Sequence, residues 1–281
     1  MLTAVYCGVP GSYAEEASLL YFGEDAALVT ASSFQNAFDR LRDGEADRAV
    51  LPIENSSTGA ISAVYDLLGQ YGFSIVGEQY VRVNHCLLAR PGASLGDIRE
   101  VISHEQGLSQ SMEFLGGHPE WSCRPVYNTA AAAKMTAECP DFHLAAIASR
   151  RAAQCYGLQV LVERTNFKSE NFTRFVVVAR EEAYEPDSDK VSVAFTLPHV
   201  VGSLCGVLEV LGRGRMNLVK IESRPIADRN WEYLFFVDFV TGKPLAELAG
   251  LFEEMGRHTQ TLRILGCYRH RPAGGEEEAA E

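Results

Sequence analysis

Two hydrophobic periods alternate along residues 1–180. Short apolar runs such as Ala49–Pro52 are separated by stretches such as Ser33–Leu41, in which apolar residues recur every third or fourth position. The first pattern is typical of buried strands and the second of amphipathic helices. Their alternation predicts an α/β fold with mainly parallel sheets, arranged either as one large sheet or as two smaller lobes. The predicted strands are Ala4–Tyr6, Leu28–Ala31, Ala49–Pro52, Ser74–Gly77, Val101–Ser103, Pro125–Tyr127, Leu144–Ile147 and Arg174–Ala179, and the predicted helices are Tyr13–Tyr21, Ser33–Leu41, Ala60–Tyr71, Ser109–Leu115, Thr129–Ala137 and Arg150–Tyr156.

The pattern changes near residue 181. Residues 181–190 are charged, contain Pro186 and have no hydrophobic period, which predicts a linker. Residues 191–268 then predict a ferredoxin-like βαββαβ domain. Residues 269–281 end in an acidic stretch and are predicted to be disordered. The elements predicted for this second domain are strand Val191–Thr196, helix Ser203–Leu211, strands Leu218–Ser223 and Tyr233–Val240, helix Leu245–His258 and strand Leu262–Cys267.

The charge balance narrows the choice of partners. A formal charge of −12 argues against nucleic acid and anionic membranes, because both attract a surplus of Lys and Arg. No apolar stretch is long enough to cross a bilayer, and the N-terminus lacks the pattern of a signal peptide. We therefore expect a cytoplasmic protein that binds neither nucleic acid nor a membrane.

Cysteine spacing and glycine motifs indicate neither a metal site nor a cofactor. The seven cysteines never form a CxxC pair, and no HExxH motif occurs. GxGxxG and P-loop patterns are also missing. The sequence predicts reduced thiols, no metal and no cofactor.

Polar residues follow several predicted strands. Backbone N–H groups and helix N-termini meet at the carboxyl ends of strands in parallel sheets, where ligands bind. Each such turn alone has a simpler explanation as an ordinary turn or helix cap. Together they predict the rim of a cleft rich in neutral hydrogen-bond donors. The candidate residues are Ser12, Glu54, Asn55, Ser56, Ser103, His104, Gln106 and Thr129.

The segment Asn171-Phe172-Thr173-Arg174-Phe175 leads into an apolar strand. A guanidinium beside a hydroxyl suits two-point binding of a carboxylate next to a hydrogen bond to a reacting oxygen. The alternative is that Thr173 and Phe175 are ordinary strand residues while Arg174 faces water.

The strings GVPGSYAEEA, LPIENSSTGAI, SHEQGLSQS, NTAAAAKM, AAIASRRAAQCYGL, NFTRF and KIESRP span almost the whole chain. Residues 3–180 resemble the catalytic domain of prephenate dehydratases, and residues 191–268 resemble the ACT domain that follows it in that family. The resemblance implies two lobes like those of periplasmic binding proteins, with the active site in the cleft between them. One lobe is expected at about 1–79 plus 162–180 and the other at about 80–161.

The resemblance also implies the reaction and its residues. Prephenate loses CO₂ and hydroxide together, so the reaction needs no external electron acceptor. Thr173 matches the essential threonine of the family and is expected to hydrogen-bond the departing hydroxyl, with Glu54 or His104 as the proton donor. Arg174 is expected to bind the carboxylate of the pyruvyl group. The remaining substrate-binding residues are expected to be Phe175, Asn55, Ser56, Ser103, Gln106, Thr129 and Ser12.

The C-terminal domain is expected to bind phenylalanine as a feedback inhibitor and to form a homodimer or homotetramer. Two rival functions stay open: arogenate dehydratase, which acts on an amino analogue of prephenate, and a ligand-binding module without activity. The expected effector residues are Gly202, Ser203, Leu204, Cys205, Asn217, Leu218, Glu222, Ser223, Arg224 and Pro225.

Overall fold

The computed structural model describes residues 2–167, 170–182, 187–226 and 231–273. Over the first 180 residues it contains two α/β lobes, each built on its own sheet. The strands are β1 (Thr3–Cys7), β2 (Ala27–Ala31), β3 (Arg48–Asn55), β4 (Gly59–Ala60), β5 (Ser74–Arg82), β6 (Cys86–Ala89), β7 (Glu100–Ser103), β8 (Ser122–Pro125), β9 (Leu144–Ala148), β10 (Gln159–Val162) and β11 (Phe172–Ala179). The helices are α1 (Tyr13–Phe22), α2 (Phe34–Arg42), α3 (Ser62–Tyr71), α4 (Glu105–Gln110), α5 (Met112–Gly116), α6 (Thr129–Glu138) and α7 (Arg150–Tyr156).

Both sheets are mixed, so the prediction of α/β layers is confirmed and the prediction of mainly parallel sheets is wrong. The first sheet has the order β2-β1-β3-β11-β5, and β11 runs antiparallel to both of its neighbours. The second has the order β10-β6-β9-β7-β8, and β6 is antiparallel to β9 and β10. The antiparallel strands are the ones by which the chain enters the second lobe and returns from it. The sequence pattern missed β6 and β10, which have four residues each.

The chain crosses between the lobes twice, at residues 83–85 and 163–171. Strand β5 stays in the first sheet through Arg82, so the first crossing lies after this residue rather than at residue 79. The cleft between the lobes borders these crossings.

Strand β11 lies inside the first sheet and is buried on both faces. Phe175 and Val177 belong to a core that includes Ala14 of α1, whereas Val176 and Val178 belong to a core that includes Phe38 of α2. This alternation follows from the two-residue period of a strand. Neighbouring residues of β11 therefore face different parts of the molecule.

The C-terminal domain comprises β12 (Lys190–Thr196), α8 (Ser203–Arg213), β13 (Asn217–Pro225), β14 (Tyr233–Val240), α9 (Ala249–His258) and β15 (Thr261–Tyr268). The strand order β13-β14-β12-β15, with antiparallel pairing throughout, is that of the predicted βαββαβ motif. One face of this sheet packs on α8 and α9 through residues such as Val193, Val207 and Phe239. Helix α9 begins at Ala249 because residues 245–248 form a 3₁₀ turn.

The other face of the C-terminal sheet packs against the first lobe, on the side of the lobe's sheet away from the cleft. Phe236 and Leu265 lie in one core with Ile75 and with residues of α2 and α3. A Cβ on Gly266 would lie 1.9 Å from the carbonyl oxygen of Ile75, so only glycine permits this approach of β15 to β5. The two domains thus share a closely packed interface.

The chain after β15 also contacts the first lobe. The backbone N–H of His270 donates to Asp189 Oδ1 at 2.6 Å, and that of Arg271 donates to Glu78 Oε1 at 3.1 Å. The predicted disordered tail therefore cannot begin at residue 269, although its residues 274–281 lie outside the described part, as do residues 183–186 of the predicted linker. No helix within the described ranges is both long and apolar enough to cross a membrane.

Candidate active site

The cleft between the two lobes has a volume of about 720 Å³ and continues into a neighbouring space of about 530 Å³. Its walls are formed by the ends of β1, β3 and β11 and by the first turns of several helices. The predicted site residues that line it are Ser12, Asn55, His104, Gln106, Thr129, Thr173 and Phe175.

The Thr173 hydroxyl is held by Asn55. The Nδ2 atom of Asn55 lies 2.9 Å from Thr173 Oγ1, and its Oδ1 accepts from the backbone N–H groups of Ser57 at 2.9 Å and Thr58 at 3.2 Å. Because the two backbone donors require an acceptor, the amide orientation is determined and Nδ2 must face Thr173. Thr173 Oγ1 therefore accepts from Asn55, and the hydroxyl proton of Thr173 is available to a ligand in the cleft.

A chain of side chains extends this contact into the second lobe. Asn55 Nδ2 also lies 2.9 Å from Asn171 Oδ1, and Asn171 Nδ2 donates to Gln110 Oε1 at 3.0 Å. Gln110 Oε1 lies 3.0 Å from Nε2 of His85. The sequence pattern does not indicate Gln110 and shows Asn171 only as the start of a motif, because the contact between them depends on how the lobes pack.

His85 lies in the floor of the cleft and is 3% exposed. Burial lowers its pKa to about 4, so the imidazole is neutral near pH 7. Since Gln110 Oε1 accepts from Asn171, it also accepts from His85 Nε2–H, and Nδ1 of His85 faces the Tyr13 hydroxyl at 3.1 Å. His85 is therefore a neutral hydrogen-bonding group in the cleft floor.

Three helices direct their N-termini toward the cleft. The N-caps are Ser12 for α1, Ser33 for α2 and Asn128 for α6, and residues of all three first turns line the cleft. The N-terminal end of a helix carries a partial positive charge and unpaired N–H groups, which favour anions. Among the described residues that line the main cleft, none is Lys or Arg. Carboxylates would therefore be bound here by helix ends and neutral donors.

His104 and Gln106 contribute from the second lobe. Nδ1 of His104 accepts from the backbone N–H of Gln106 at 3.2 Å, which leaves the ring proton on Nε2 in the neutral imidazole. Gln106 Nε2 donates to Thr58 Oγ1 of the first lobe at 3.2 Å. This bond connects the two walls of the cleft.

Two serines that were predicted to contact the substrate do not direct their hydroxyl groups into the cleft. Ser103 is fully buried, and its hydroxyl donates to the carbonyl oxygen of Ile147 at 2.6 Å. Ser56 Oγ accepts from the backbone N–H of Phe172 at 2.9 Å, and Ser56 does not line either part of the cleft. Both serines hold the walls of the site and do not donate into it.

Arg174 lies on the opposite face of β11, so the prediction that it binds a substrate carboxylate is corrected. Its guanidinium is 3% exposed and contacts the C-terminal domain: Nη1 lies 2.5 Å from Asp238 Oδ2, and Nη2 lies 2.8 Å from the Tyr268 hydroxyl. Nε donates to Glu78 Oε2 at 2.7 Å. Burial alone would lower the pKa of Arg174, but Asp238, Tyr268 and Glu78 raise it well above its usual value.

The prediction that Glu54 is a catalytic acid is corrected for the same reason. Its carboxylate also faces the C-terminal domain, where Oε1 lies 2.8 Å from Lys220 Nζ of β13. Glu54 and Arg174 are paired across β3 and β11, one position along from the pair of Asn55 and Thr173. Strand alternation therefore directs one pair toward the cleft and the next pair away from it.

The predicted effector residues lie on two elements of the C-terminal domain. Gly202 caps α8 with a φ of 82°, and Ser203, Leu204 and Cys205 form the first turn of this helix. The others lie on β13, an edge strand that exposes Leu218, Val219 and Ile221. Arg224 of this strand pairs with Asp66 of α3 at 3.2 Å. The remaining residues of the set are Asn217, Glu222, Ser223 and Pro225.

The chain thus combines a two-lobed α/β unit, which has a donor-rich cleft, with a ferredoxin-like domain. The family model described as prephenate dehydratase matches residues 4–183. The chain belongs to the prephenate dehydratase family and is an enzyme of this family.

Individual relatives agree with this assignment. The chain is 35% identical over 268 residues to the bifunctional chorismate mutase/prephenate dehydratase of Escherichia coli (strain K12), covering 94% of this chain and 69% of the relative. It is 37% identical over 287 residues to the chloroplastic arogenate dehydratase 5 of Arabidopsis thaliana, covering 95% and 67%. The solved structure of the prephenate dehydratase from Arthrobacter aurescens in complex with L-Phe matches with a TM-score of 0.86 and 30% identity, covering 97% of this chain and 92% of that one.

Proposed function

We propose that this enzyme converts prephenate to phenylpyruvate in phenylalanine biosynthesis, in the cytoplasm, without a metal or cofactor. The observation that supports this most strongly is the Thr173 hydroxyl. Its oxygen accepts from Asn55 at 2.9 Å, so its proton is available in a cleft whose described lining contains no Lys or Arg.

The reaction requires help mainly at the leaving hydroxyl. When the bond between the ring and its carboxylate breaks, the electron pair moves through the ring and expels hydroxide, which makes the ring aromatic. Thr173 donates a hydrogen bond to the departing oxygen, and a proton completes its conversion to water. In the neutral form His104 donates a second hydrogen bond to this oxygen through Nε2–H, and it supplies the proton only as the imidazolium, with the contact from Gln106 to Nδ1 broken; Glu54 faces the other domain.

The neutral cleft suits this chemistry. A cation bound to the reacting carboxylate would stabilise the substrate more than the transition state and slow the loss of CO₂. Helix ends provide a weaker and more distributed positive potential. In this proposal the N-terminal turns of α1, α2 and α6 bind the two carboxylates, with Gln106 and Thr129 as further donors.

The same cleft favours prephenate over arogenate. Arogenate carries an ammonium where prephenate carries a keto group, and a buried ammonium needs a carboxylate partner. Among the described residues of the main cleft there is no Asp or Glu, and Glu105 lies in the adjoining space. The keto group of prephenate requires no carboxylate partner.

Turnover of the two substrates by the purified enzyme tests the proposal. We expect kcat/KM to be higher for prephenate, with phenylpyruvate as the product. A preference for arogenate would contradict the substrate assignment, and lack of turnover of either substrate would contradict the proposed reaction.

We further propose that the C-terminal domain is an ACT domain that binds phenylalanine and inhibits the enzyme. The support is its βαββαβ topology, its similarity to a structure described as a complex with L-Phe, and the loop at Gly202 near the start of α8. The exposed apolar residues of the edge strand β13 favour a homodimer or homotetramer formed through this strand.

Calorimetry with phenylalanine and light scattering test these two proposals separately. We expect phenylalanine to bind the full chain and to lower prephenate turnover, and we expect a mass of at least twice 30.8 kDa. No binding at millimolar phenylalanine would contradict the regulatory proposal, whereas a monomer would contradict the proposed assembly.

A further inference from the structure

Two neighbouring residue pairs of the β3–β11 ladder face opposite sides of the first lobe. We call Asn55 and Thr173 the cleft pair, because both line the cleft. We call Glu54 and Arg174 the interface pair, because both contact the C-terminal domain. Any displacement of the interface pair along the strands also displaces the cleft pair, since the two are covalently adjacent on both strands.

The interface pair is held by a buried ionic cluster, defined as Arg174, Glu78, Lys190 and Asp238. Each of these residues is at most 7% exposed. Lys190 Nζ lies 2.8 Å from Glu78 Oε2, and Glu78 also binds Arg174 at 2.7 Å, while Asp238 binds Arg174 at 2.5 Å. Two cations and two anions thus balance each other, with contributions from β5 and β11 of the lobe and from β12 and β14 of the C-terminal domain.

Neutral hydroxyls complete the cluster. The Tyr268 hydroxyl accepts from Arg174 Nη2 at 2.8 Å and lies 2.6 Å from Ser192 Oγ, which donates to Asp238 Oδ1 at 2.5 Å. His270 Nδ1 lies 2.9 Å from Glu78 Oε1. Directional bonds of this kind define one relative position of the two domains much more strictly than apolar contact does.

A second connection starts from β13, the strand that carries most of the proposed effector residues. Lys220 of this strand binds Glu54 at 2.8 Å, and Arg224 binds Asp66 at 3.2 Å. Lys220, Glu222 and Arg224 alternate with more exposed residues and so share one face, which is directed toward the first lobe. A shift of β13 would therefore act on the interface pair directly.

We propose that Glu54 and Arg174 are positioning residues through which the C-terminal domain controls the catalytic Thr173. The inference rests on the proposed regulation by phenylalanine. When the effector changes the position of β13 and β14, Lys220 and Asp238 pull the interface pair, and the cleft pair moves with it. The Thr173 hydroxyl then leaves its productive position, so the effector and the substrate favour different positions of one element.

The simpler explanation is that the cluster only joins the domains. Under that explanation, removing one bond would change stability and leave the effect of phenylalanine on catalysis as it was. Under the proposal, removing one bond uncouples the effector from the cleft even where phenylalanine still binds. The ratio of kcat/KM without and with saturating phenylalanine separates the two.

Tyr268→Phe and Lys220→Met are suitable variants, because neither leaves an unpaired charge in the fully buried cluster. Thr196→Val is the matched control for the first, since it removes a hydroxyl pair with Thr261 on the same sheet away from Arg174. Arg213→Met is the control for the second, because it removes a cation that pairs with Glu254 inside the C-terminal domain. Calorimetry measures phenylalanine binding in each protein.

For the unmodified enzyme we expect kcat/KM without phenylalanine to exceed kcat/KM with saturating phenylalanine by about 5-fold to 150-fold, which is the usual range of allosteric coupling. We expect Tyr268→Phe and Lys220→Met to lower this ratio to about 2 or less with the phenylalanine Kd changed by less than about threefold, and both controls to keep the original ratio. Variants that keep the original ratio, or controls that lose it equally, would overturn the proposal. If the unmodified enzyme binds phenylalanine and shows no inhibition, the proposed regulation itself fails, which is a different result from inhibition that survives in the variants.

Discussion

The two faces of strand β11 use polar residues in opposite ways. On the cleft face Thr173 meets neutral groups, and the positive potential comes from helix N-termini. On the other face Arg174 is bound by Glu78 and Asp238 in a buried interface. The two faces differ in how long their contacts last. A buried ion pair suits a permanent contact, whereas a site that must release its product benefits from weaker, neutral donors.

Electrostatics explains how the buried face holds its charged residues. Opposite charges attract strongly in a medium of low dielectric constant, but each unpaired charge there carries a large desolvation penalty. In the ionic cluster the charges balance.

The largest expected effect comes from removing the buried cation on the interface face of β11. Arg174→Met should lower the free energy of unfolding by about 3–5 kcal/mol, because Asp238 and Glu78 lose their shared cation. Adding Asp238→Asn restores neutrality, and the double variant should be less destabilised than the sum of the two single variants. Chemical denaturation measures both effects.

Arg213→Met serves as the exposed control and should change stability by less than about 0.5 kcal/mol. If Arg174→Met instead left stability unchanged and raised KM strongly, the guanidinium would be a substrate ligand after all. The comparison between the two faces would then be wrong.

The cleft side is tested by Thr173→Val, which keeps the side-chain shape and removes the hydroxyl. We expect kcat to fall by about 10²–10³-fold with a small change in KM, as for the loss of one donor to a developing anion. Thr173→Ser, which keeps the hydroxyl, should retain much more activity. A near-normal kcat in the valine variant would show that the hydroxyl has no catalytic role.

Asn55→Asp tests the direction of the hydrogen bond between Asn55 and Thr173. A carboxylate at this position accepts the Thr173 proton and turns it away from the cleft, so kcat should fall by roughly 10-fold to 10²-fold. Asn55→Asp should fold, as the Ser57 and Thr58 N–H groups still have an acceptor. Unchanged steady-state kinetics would mean that Thr173 does not need this donor.

A further prediction concerns the neutral floor of the cleft. Since the pKa of His85 is about 4 in the folded protein and about 6.5 in the unfolded chain, the unfolded chain binds more protons between these values. The contribution of His85 to stability is therefore complete above pH 6.5 and declines as the pH falls toward 4. Burial raises the pKa of Glu16 to about 7, which gives the opposite slope between pH 4.5 and 7.

Comparison with His85→Gln isolates the histidine from Glu16. The difference in unfolding free energy between the original protein and this variant should grow by up to about 3 kcal/mol from pH 4 to pH 7. Denaturation series at several pH values measure it. A difference independent of pH would mean that His85 is accessible to protons in the folded state.

Much of this protein could be predicted from local patterns. The strand and helix alternation and the βαββαβ order depend on periods within short segments, and the family resemblance implied that Thr173, Asn55 and His104 share one site. The two-residue period also separates Thr173 from Arg174 by itself. That period does not indicate which of the two faces lines the cleft.

The tertiary structure decided what each face contacts. Asp238 and Tyr268 reach Arg174 across 64 and 94 residues of sequence, and Gln110 reaches Asn171 across 61. Packing between lobes and domains creates these contacts, and no local spacing encodes them. The sequence by itself determined the family, the elements and the catalytic candidates. Only the fold placed a second domain against the back of β11, because burying that apolar face requires a partner from elsewhere in the chain, and this partner made Arg174 an interface residue.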